Sequence, residues 1–450
     1  MQIRQFEDKN LSHYSYAIVN DSENKMVLID PTRNVHQYLK YAMELNARII
    51  GVIETHPHAD FVSGHLELVQ STGATIYASK LINASYPHSG FDGGDVLEFG
   101  KIKLSAINTP GHSPDSISVL LEYDGIQKAI FTGDTLFIGD CGRPDLRESA
   151  GNIQVSRQIL AQQMYHSLRD KLEILPGDVI VYPAHGAGTL CGKNLSKDSN
   201  STIAKEKQSN WSLQEATEEE FVKSLLADQP FVPQYFPFDV ELNRKGVLPL
   251  QEALNKIPTG KVVNENSIPL LDNSVWIIDT RREELFKKGH LPHSINLMEE
   301  GKFETWLGTI IPPNEKFYLA CETGKQLTNM LERVAAIGYE SQVAEGFIIE
   351  NGDFKEPKID LAKFREHTED YTIIDVRNSS EVKQGKIFEN SIHIPLSEIR
   401  NRIGEIPLDK PIVVHCAGGY RSAAASSLLQ SSLNKQAKVF DLGEAIRDFN

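Results

Sequence analysis

In the first half of the chain, histidine and aspartate gather in four short stretches: HPHAD (56–60), TPGHSPDS (109–116), FTGDTLF (131–137) and YPAHG (182–186). Imidazole nitrogens and carboxylate oxygens at alternate positions, as in His56, His58 and Asp60, are the donors of a transition-metal site. The next position, where a further ligand is expected, holds Phe61, whose side chain has no lone pair. A single stretch of this kind reads equally well as a capped turn or a buried, hydrogen-bonded histidine. Four in series, each behind a β-branched run, point to a metal centre.

Far along the chain a cysteine opens a different motif, CAGGYR (416–421). It follows the strand-like run IVVH and precedes an Ala/Ser/Leu stretch of helical character. Gly418 and Gly419 let loop N–H groups turn toward one centre, Arg421 closes the loop, and a helix N-terminus adds partial positive charge. Such a loop favours a thiolate without a neighbouring base, and then an anionic persulfide on it.

The elements that must carry these groups follow from periodicity. MVLID (26–30), ARIIGVIET (47–55), ATIYA (74–78), KIKLSAINT (101–109), SISVLLEY (116–123), KAIFTGD (128–134) and DVIVYPAHG (178–186) read as strands. Helical patterns cover 34–46, 64–72 and roughly 153–172. The polar stretch 192–210 reads as a loop or lid. The segment 229–246, rich in proline and aromatics, makes a poor free linker and belongs to the first domain. A boundary is expected within 247–262.

Beyond it the chain repeats itself. IIDTR at 277–281 returns as IIDVR at 373–377, and the strand ending in Cys321 returns as the strand ending before Cys416, at nearly constant spacing. Order and spacing together indicate two related α/β domains of about a hundred residues each. The expected division is 1–250, 251–355 and 356–450.

The chain has 450 residues and a formal net charge of −15, which argues against nucleic acid or an anionic membrane as a general partner. The opening residues lack an apolar core of signal-peptide length, and no run further on is long enough to span a bilayer, so a cytoplasmic location is expected. Cys141, Cys191, Cys321 and Cys416 are far apart and form no CxxC, so they read as thiols.

The histidine and aspartate series resembles the metallo-β-lactamase fold, an αββα sandwich with its metal at one edge, over about residues 1–245. Two-metal members usually carry HxHxDH, and Phe61 stands where the last of those ligands would be. The resemblance leaves one metal held by His56, His112 and Asp134, a two-histidine, one-carboxylate set whose open positions suit ferrous iron; zinc remains compatible with the same ligands. ETHPHADFVSGH, TPGHSPDSIS, FTGDTLFIGDCGRPDL and VYPAHGAGTLCGK are similar to the persulfide dioxygenase branch, which oxidises a thiol persulfide to sulfite at one Fe(II) per chain. On that likeness His58, Asp60 and His185 stand behind the ligands or line the pocket. Arg143 is either the salt-bridge partner of Asp145 or an anchor for the anionic part of the substrate. Cys191 is either a thiol at the pocket mouth that receives sulfur or an inert half-buried residue. Cys141 is expected to pack, and His65 to cap a helix or lie on the surface.

The CAGGYR loop with IIDVR upstream resembles the rhodanese sulfurtransferases over about 360–450. Phosphatases of related geometry need a longer loop. The likeness makes Cys416 the sulfur carrier, with Arg421 and the loop amides of Ala417, Gly418, Gly419 and Tyr420 binding the anion, while Asp375 and Arg377 brace the fold. In the middle repeat Cys321 is kept, but Gln326 replaces the closing arginine and Glu322 adds negative charge, so that site reads as degenerate.

The whole arrangement resembles bacterial persulfide dioxygenase–rhodanese fusions. The implied partners are a low-molecular-weight thiol persulfide, O₂, and sulfite or thiosulfate, with a homo-oligomeric chain and no nucleic acid or membrane. Sulfur could run through Cys416 in either direction. A zinc thioester hydrolase of the glyoxalase II type is the competing expectation, opposed by Phe61 because that chemistry generally uses two metals. A non-enzymatic sulfur relay is a third, opposed by the near-complete ligand set.

Overall fold

The computed structural model describes residues 1–146, 148, 155–260, 263, 271–350 and 352–449. They divide into one unit of residues 1–252 with 336–338, and another of 253–335 with 339–450.

The first unit holds two six-stranded sheets. One runs in chain order through Gln2–Asp8, His13–Asn20, Lys25–Ile29, Arg48–Ile53, Thr75–Ala78 and Ser89–Gly90. The other has the order Ser201–Thr202, Ile180–Pro183, Ile126–Gly133, Ile117–Tyr123, Ile102–Asn108, Val96–Phe99. Alternation along each strand sends side chains to both faces. Tyr16 and Ile18 meet Val119, Leu121 and Phe131 in a core between the sheets. Ala17 and Val19 instead join Tyr38 and Leu68, beneath the helices His36–Glu44 and His65–Thr72. Leu120 and Ile130 pack against Met164 and Phe221, beneath the helices Arg157–Ser167 and Glu218–Leu226. The result is the expected four-layer αββα sandwich.

Three local features depart from the sequence reading. The strands Gln2–Asp8 and His13–Asn20 add to those expected; the first is an edge strand with only Phe6 fully buried, so its period is faint. The stretch 192–210 is not all loop: it ends in the strand Ser201–Thr202 and the helix Ile203–Ser209. Its signal was a cap within polar sequence, since Thr202 Oγ1 accepts the Lys205 N–H at 3.2 Å. The helix expected over 153–172 begins at Arg157 behind its Ser156 cap and continues as a π turn through Leu172. Residues 153 and 154, and the last two residues of the expected 247–262 boundary, lie outside the described residues.

The second unit holds two four-stranded parallel sheets of identical order. They are Ser294–Asn296, Trp276–Asp279, Phe317–Cys321, Val343–Ile348 and Ile392–His393, Thr372–Asp375, Ile412–His415, Val439–Asp441. In each repeat the third strand in chain order delivers the cysteine to the start of a helix, Gly324–Ala336 or Tyr420–Leu433. The latter is rich in Ala and Ser because it packs on both sides. One side lies on its own sheet, and the other meets the preceding repeat, where the Asn296 N–H donates to Ser427 Oγ at 2.9 Å.

Candidate functional site

All four metal-type loops of the first unit leave the C-terminal ends of strands, so they collect at one edge of the sandwich. The edge is closed by exchange between its two sheets: the Tyr14 N–H donates to the Ala184 carbonyl and the Gly186 N–H to the Ser12 carbonyl. Gly133, at a φ of 51°, lets the strand before Asp134 pass close to the His56 loop; a Cβ there would lie 2.7 Å from Thr55 Oγ1.

His56, His112 and Asp134 converge. Their Nε2 atoms lie 3.9 and 3.5 Å from Asp134 Oδ2, near the spacing of about 3 Å that ligands around one metal adopt with bonds of about 2.1 Å. Both imidazoles are held in the tautomer a metal needs. His112 Nδ1 donates to the Arg143 carbonyl at 2.9 Å. His56 Nδ1 faces Thr55 Oγ1 at 3.0 Å, and that hydroxyl donates onward to Asp30 Oδ2 at 2.8 Å. Each Nε2 lone pair therefore points into the site. Burial, then the neighbouring Asp60, pushes the Asp134 carboxyl well above the usual range, and the Cys191 thiol opposes this. A divalent cation is the group that would offset a carboxylate so placed. The donor set fits the metal.

His58 is turned elsewhere. Its Nε2 lies 3.2 Å from Asp30 Oδ1 and 3.6 Å from Glu54 Oε2. Burial holds this imidazole well below its usual pKa, with His13 adding to the effect, so it is neutral. Asp30 is pushed up to about 6 by burial, against two hydrogen bonds from Thr55. Glu54 is likewise raised by burial, against His65. Phe61 is fully buried, its ring centroid 4.3 Å from that of His58 and 4.2 Å from that of His13.

Asp60 and His185 form a second convergence with Cys191. His185 Nε2 is 3.4 Å from Asp60 Oδ2 and 3.5 Å from Asp134 Oδ1, and its Nδ1 donates to the Ser12 carbonyl. Asp134 thus stands between two trios and turns one oxygen to each. Cys191 is buried at 1% exposure and does not sit half-open at a pocket mouth; burial, then Asp60, raises its thiol well above the usual range.

Of the two readings of Arg143, the salt bridge is the one that forms: its Nε and Nη2 grip Asp145 at 2.7 Å each, and its remaining N–H groups go to the carbonyls of Leu190, Phe231 and Pro230. All five guanidinium donors are committed. His65 is neither exposed nor a simple cap; it is buried with Nδ1 3.5 Å from Glu54 Oε1 and its ring against Tyr86. Cys141 packs in the core as expected. Sequence reasoning did not single out His13, Asp30 or Glu54. Glu54 opens the ETHPHAD motif, but only the fold shows that its side chain turns back onto His58.

In the last repeat Cys416 is buried, and the Gly419 N–H donates to its Sγ at 3.1 Å. Ala417 and Gly418 are exposed. Arg421 does not hang free beside the thiol: Nη2 donates to Glu381 Oε1 at 2.8 Å and Nη1 to Oε2. Burial raises the Glu381 carboxyl, but Arg421 outweighs it and holds the carboxyl below the usual range. Glu381 was missed, although it follows IIDVR closely. The middle repeat lacks both partners, with Gln326 for the arginine and Leu285 at the position matching Glu381. Gln326 is occupied by Glu299 at 2.9 Å and by the Glu322 N–H at 2.7 Å. Burial, with Asp279 and Glu299, pushes the Cys321 thiol up to about 12.

The bracing pair, by contrast, is present in both repeats. Arg281 grips Asp279 and the Gly289 carbonyl as Arg377 grips Asp375 and the Gly385 carbonyl. Its presence in both repeats marks it as a fold contact.

Residues 9–185 match the metallo-beta-lactamase superfamily, and residues 264–350 and 360–448 each match the rhodanese-like domain. The chain is 30% identical over 243 residues to the mitochondrial persulfide dioxygenase ETHE1 of Bos taurus, covering 53% of this chain and 86% of that one. It is 38% identical over 138 residues to a hydroxyacylglutathione hydrolase of Brucella ovis, covering 30% of this chain and 47% of that one. Among solved structures, a metallo-beta-lactamase from Staphylococcus aureus subsp. aureus COL superposes with a TM-score of 0.67 at 29% identity, over 78% of this chain and 98% of that one.

Proposed function

Because the chain belongs to the persulfide dioxygenase family of the metallo-β-lactamase superfamily, continued by two rhodanese-like domains, we propose that it couples persulfide oxidation to sulfur transfer. The first domain, to about residue 250, oxidises a low-molecular-weight thiol persulfide with O₂ to sulfite, releasing the thiol. One persulfide, one O₂ and one water give one thiol and one sulfurous acid, which ionises to sulfite. The single observation that carries this is the convergence of His56, His112 and Asp134 while His58 is drawn into Asp30 and Glu54. Three protein ligands leave open positions on one metal.

When bound there, Fe(II) supplies a place where persulfide sulfur and O₂ meet and exchange electrons. The chain's own part is to hold two Nε2 lone pairs and one carboxylate, to keep the tautomers fixed through Arg143 and Thr55, and to exclude water with Phe61. The domain after about residue 355 then works through Cys416. A second thiol persulfide loads Cys416, its outer sulfur bonding to Sγ as its own S–S bond breaks and the thiol leaves. Sulfite then attacks that sulfur, the Cys416 S–S bond breaks, the S–S bond of thiosulfate forms, and the electron pair returns to the Cys416 thiolate. Gly419 N–H and the Arg421–Glu381 pair keep the loop in the shape that stabilises that thiolate. The middle domain carries no sulfur. Among the described residues no helix is long and apolar enough to cross a membrane, and a cytoplasmic homo-oligomer completes the proposal.

The test is metal analysis of anaerobically purified protein with O₂ uptake and sulfite release on a thiol persulfide. Stoichiometric zinc with no O₂ consumption would overturn the proposal. A second reading, a two-metal thioester hydrolase, is favoured by one observation: Cys191 completes a trio with Asp60 and His185 despite Phe61. Hydrolysis of a glutathione thioester by protein holding two metals per chain would establish it.

A further inference from the structure

The helix Tyr420–Leu433 begins inside the loop that surrounds Cys416, and its first residue does not face the thiol. The Tyr420 hydroxyl crosses to the preceding repeat and donates to the Met298 carbonyl at 3.2 Å. There its ring lies against Gly301, whose φ is 87° and where a Cβ would be 2.9 Å from Tyr420 Cε2. The seat is shaped by the absence of a side chain at that one position. Beside it Arg333 and Glu304 form a buried bidentate pair, with Arg333 also donating to the Glu299 carbonyl. Burial, then Glu304, raises the Tyr420 phenol, which therefore stays a neutral donor.

The same helix is fastened to the same repeat further along. Ser427 Oγ accepts the Asn296 N–H at 2.9 Å, and Ser431 Oγ donates to the Ser294 carbonyl at 3.3 Å. On the other side of Tyr420 the loop is held within its own repeat: the Ser422 hydroxyl donates to the Gly419 carbonyl at 3.0 Å, and a Cβ on Gly419 would lie 3.3 Å from Gly443 C and Glu444 N. Ala417 and Gly418 are exposed, and a Cβ on Gly418 would meet nothing within 4 Å. Gly419, whose N–H reaches Cys416 Sγ, holds a φ of 102° that nothing in its own side chain can enforce. The residue next to it, Tyr420, ties that end of the loop to the preceding repeat.

We propose that Tyr420 is a positioning residue for the Cys416 loop, and that the middle repeat, through the seat between Met298 and Gly301, is a working part of the sulfur-transfer site. The aim of the loop N–H groups at Cys416 is set from across the repeat boundary. This gives the degenerate repeat a task without any chemistry at Cys321. The proposal rests on the reading of Cys416 as a sulfur carrier, and its test separates the two.

In the full-length chain, the pH midpoint of Cys416 alkylation by iodoacetamide is followed by peptide mass spectrometry, alongside sulfane transfer from thiosulfate to cyanide. Tyr420→Ala should raise the midpoint by about one pH unit and lower kcat by about tenfold, with a smaller change in KM. Tyr420→Phe, which keeps the ring, should restore the midpoint and most of kcat. Gly301→Ala, which crowds the ring from the other repeat, should shift both in the direction of Tyr420→Ala. Wild-type midpoint and kcat in both Tyr420→Ala and Gly301→Ala would overturn the proposal. If Tyr420→Ala does not fold, Gly301→Ala decides alone. A midpoint that moves in a chain without any sulfur transfer would support the positioning role while sinking the sulfur-carrier reading.

Discussion

His58 Nε2 lies 3.2 Å from Asp30 Oδ1, whereas its neighbour two positions back, His56, turns its Nε2 to Asp134. Alternate residues of one loop thus serve opposite sides: one faces the metal position, the other a buried carboxylate pair. Asp30 is fixed for this by the Thr55 N–H and hydroxyl, so the same Thr55 supports His56 and occupies the partner of His58.

Metal content should therefore separate the two histidines. His56→Ala is expected to leave less than about a tenth of the wild-type metal, and His58→Ala to retain most of it with reduced activity. Metal analysis of both variants checks this; equal loss would mean that His58 is itself a ligand.

Cys191 offers a count of the metals. With one metal in the first trio, Cys191→Ser keeps that metal and most O₂ uptake, since the thiol belongs to the second trio. A fall from two metals per chain to one would favour the two-metal reading.

The last repeat should be separable from the first unit in activity. Cys416→Ser is expected to leave O₂ uptake intact and abolish thiosulfate formation. Glu381→Gln, which weakens the hold on Arg421, should slow thiosulfate formation by about tenfold, because this half-buried ion pair closes the loop around Cys416. Coupled O₂-electrode and thiosulfate measurements distinguish the two variants. Cys321→Ser should change neither activity.

Acid should weaken the last repeat through His415. Burial lowers this imidazole from 6.5 to about 4, against the opposing influence of Asp375. Between those values the unfolded chain binds a proton that the folded chain refuses, so stability is full above 6.5 and falls as the pH drops toward 4. The shift corresponds to roughly 3 kcal/mol across that window. His415→Ala, the residue type the middle repeat has at Ala320, should flatten the pH dependence of Tm between pH 6.5 and 4. An unchanged slope would mean that other groups carry it.

Much of this was legible in the linear chain because it depends on local period and on residue type. Strands ending in His56, His112 and Asp134 follow from β-branched runs that stop at Gly, Pro and His. The doubled domain follows from the return of IIDxR and the cysteine at constant spacing. The fate of individual side chains was not legible, because it is set by what lies across the sheet or across the repeat. Arg143 and Asp145 were readable as a pair, but the carbonyls of Leu190, Phe231 and Pro230 that consume the remaining donors are distant in sequence.

By itself the sequence determined the αββα sandwich, the two rhodanese-like repeats, the donor types at the metal position and the loop around Cys416. Only the tertiary structure decided that His58 turns to Asp30, that Cys191 joins Asp60 and His185, that Glu381 holds Arg421, and that Tyr420 is seated in the neighbouring repeat. Donor chemistry and hydrophobic period are properties of neighbours in sequence. The direction in which a buried polar group points is chosen by whichever partner satisfies it, and here those partners come from elsewhere in the chain.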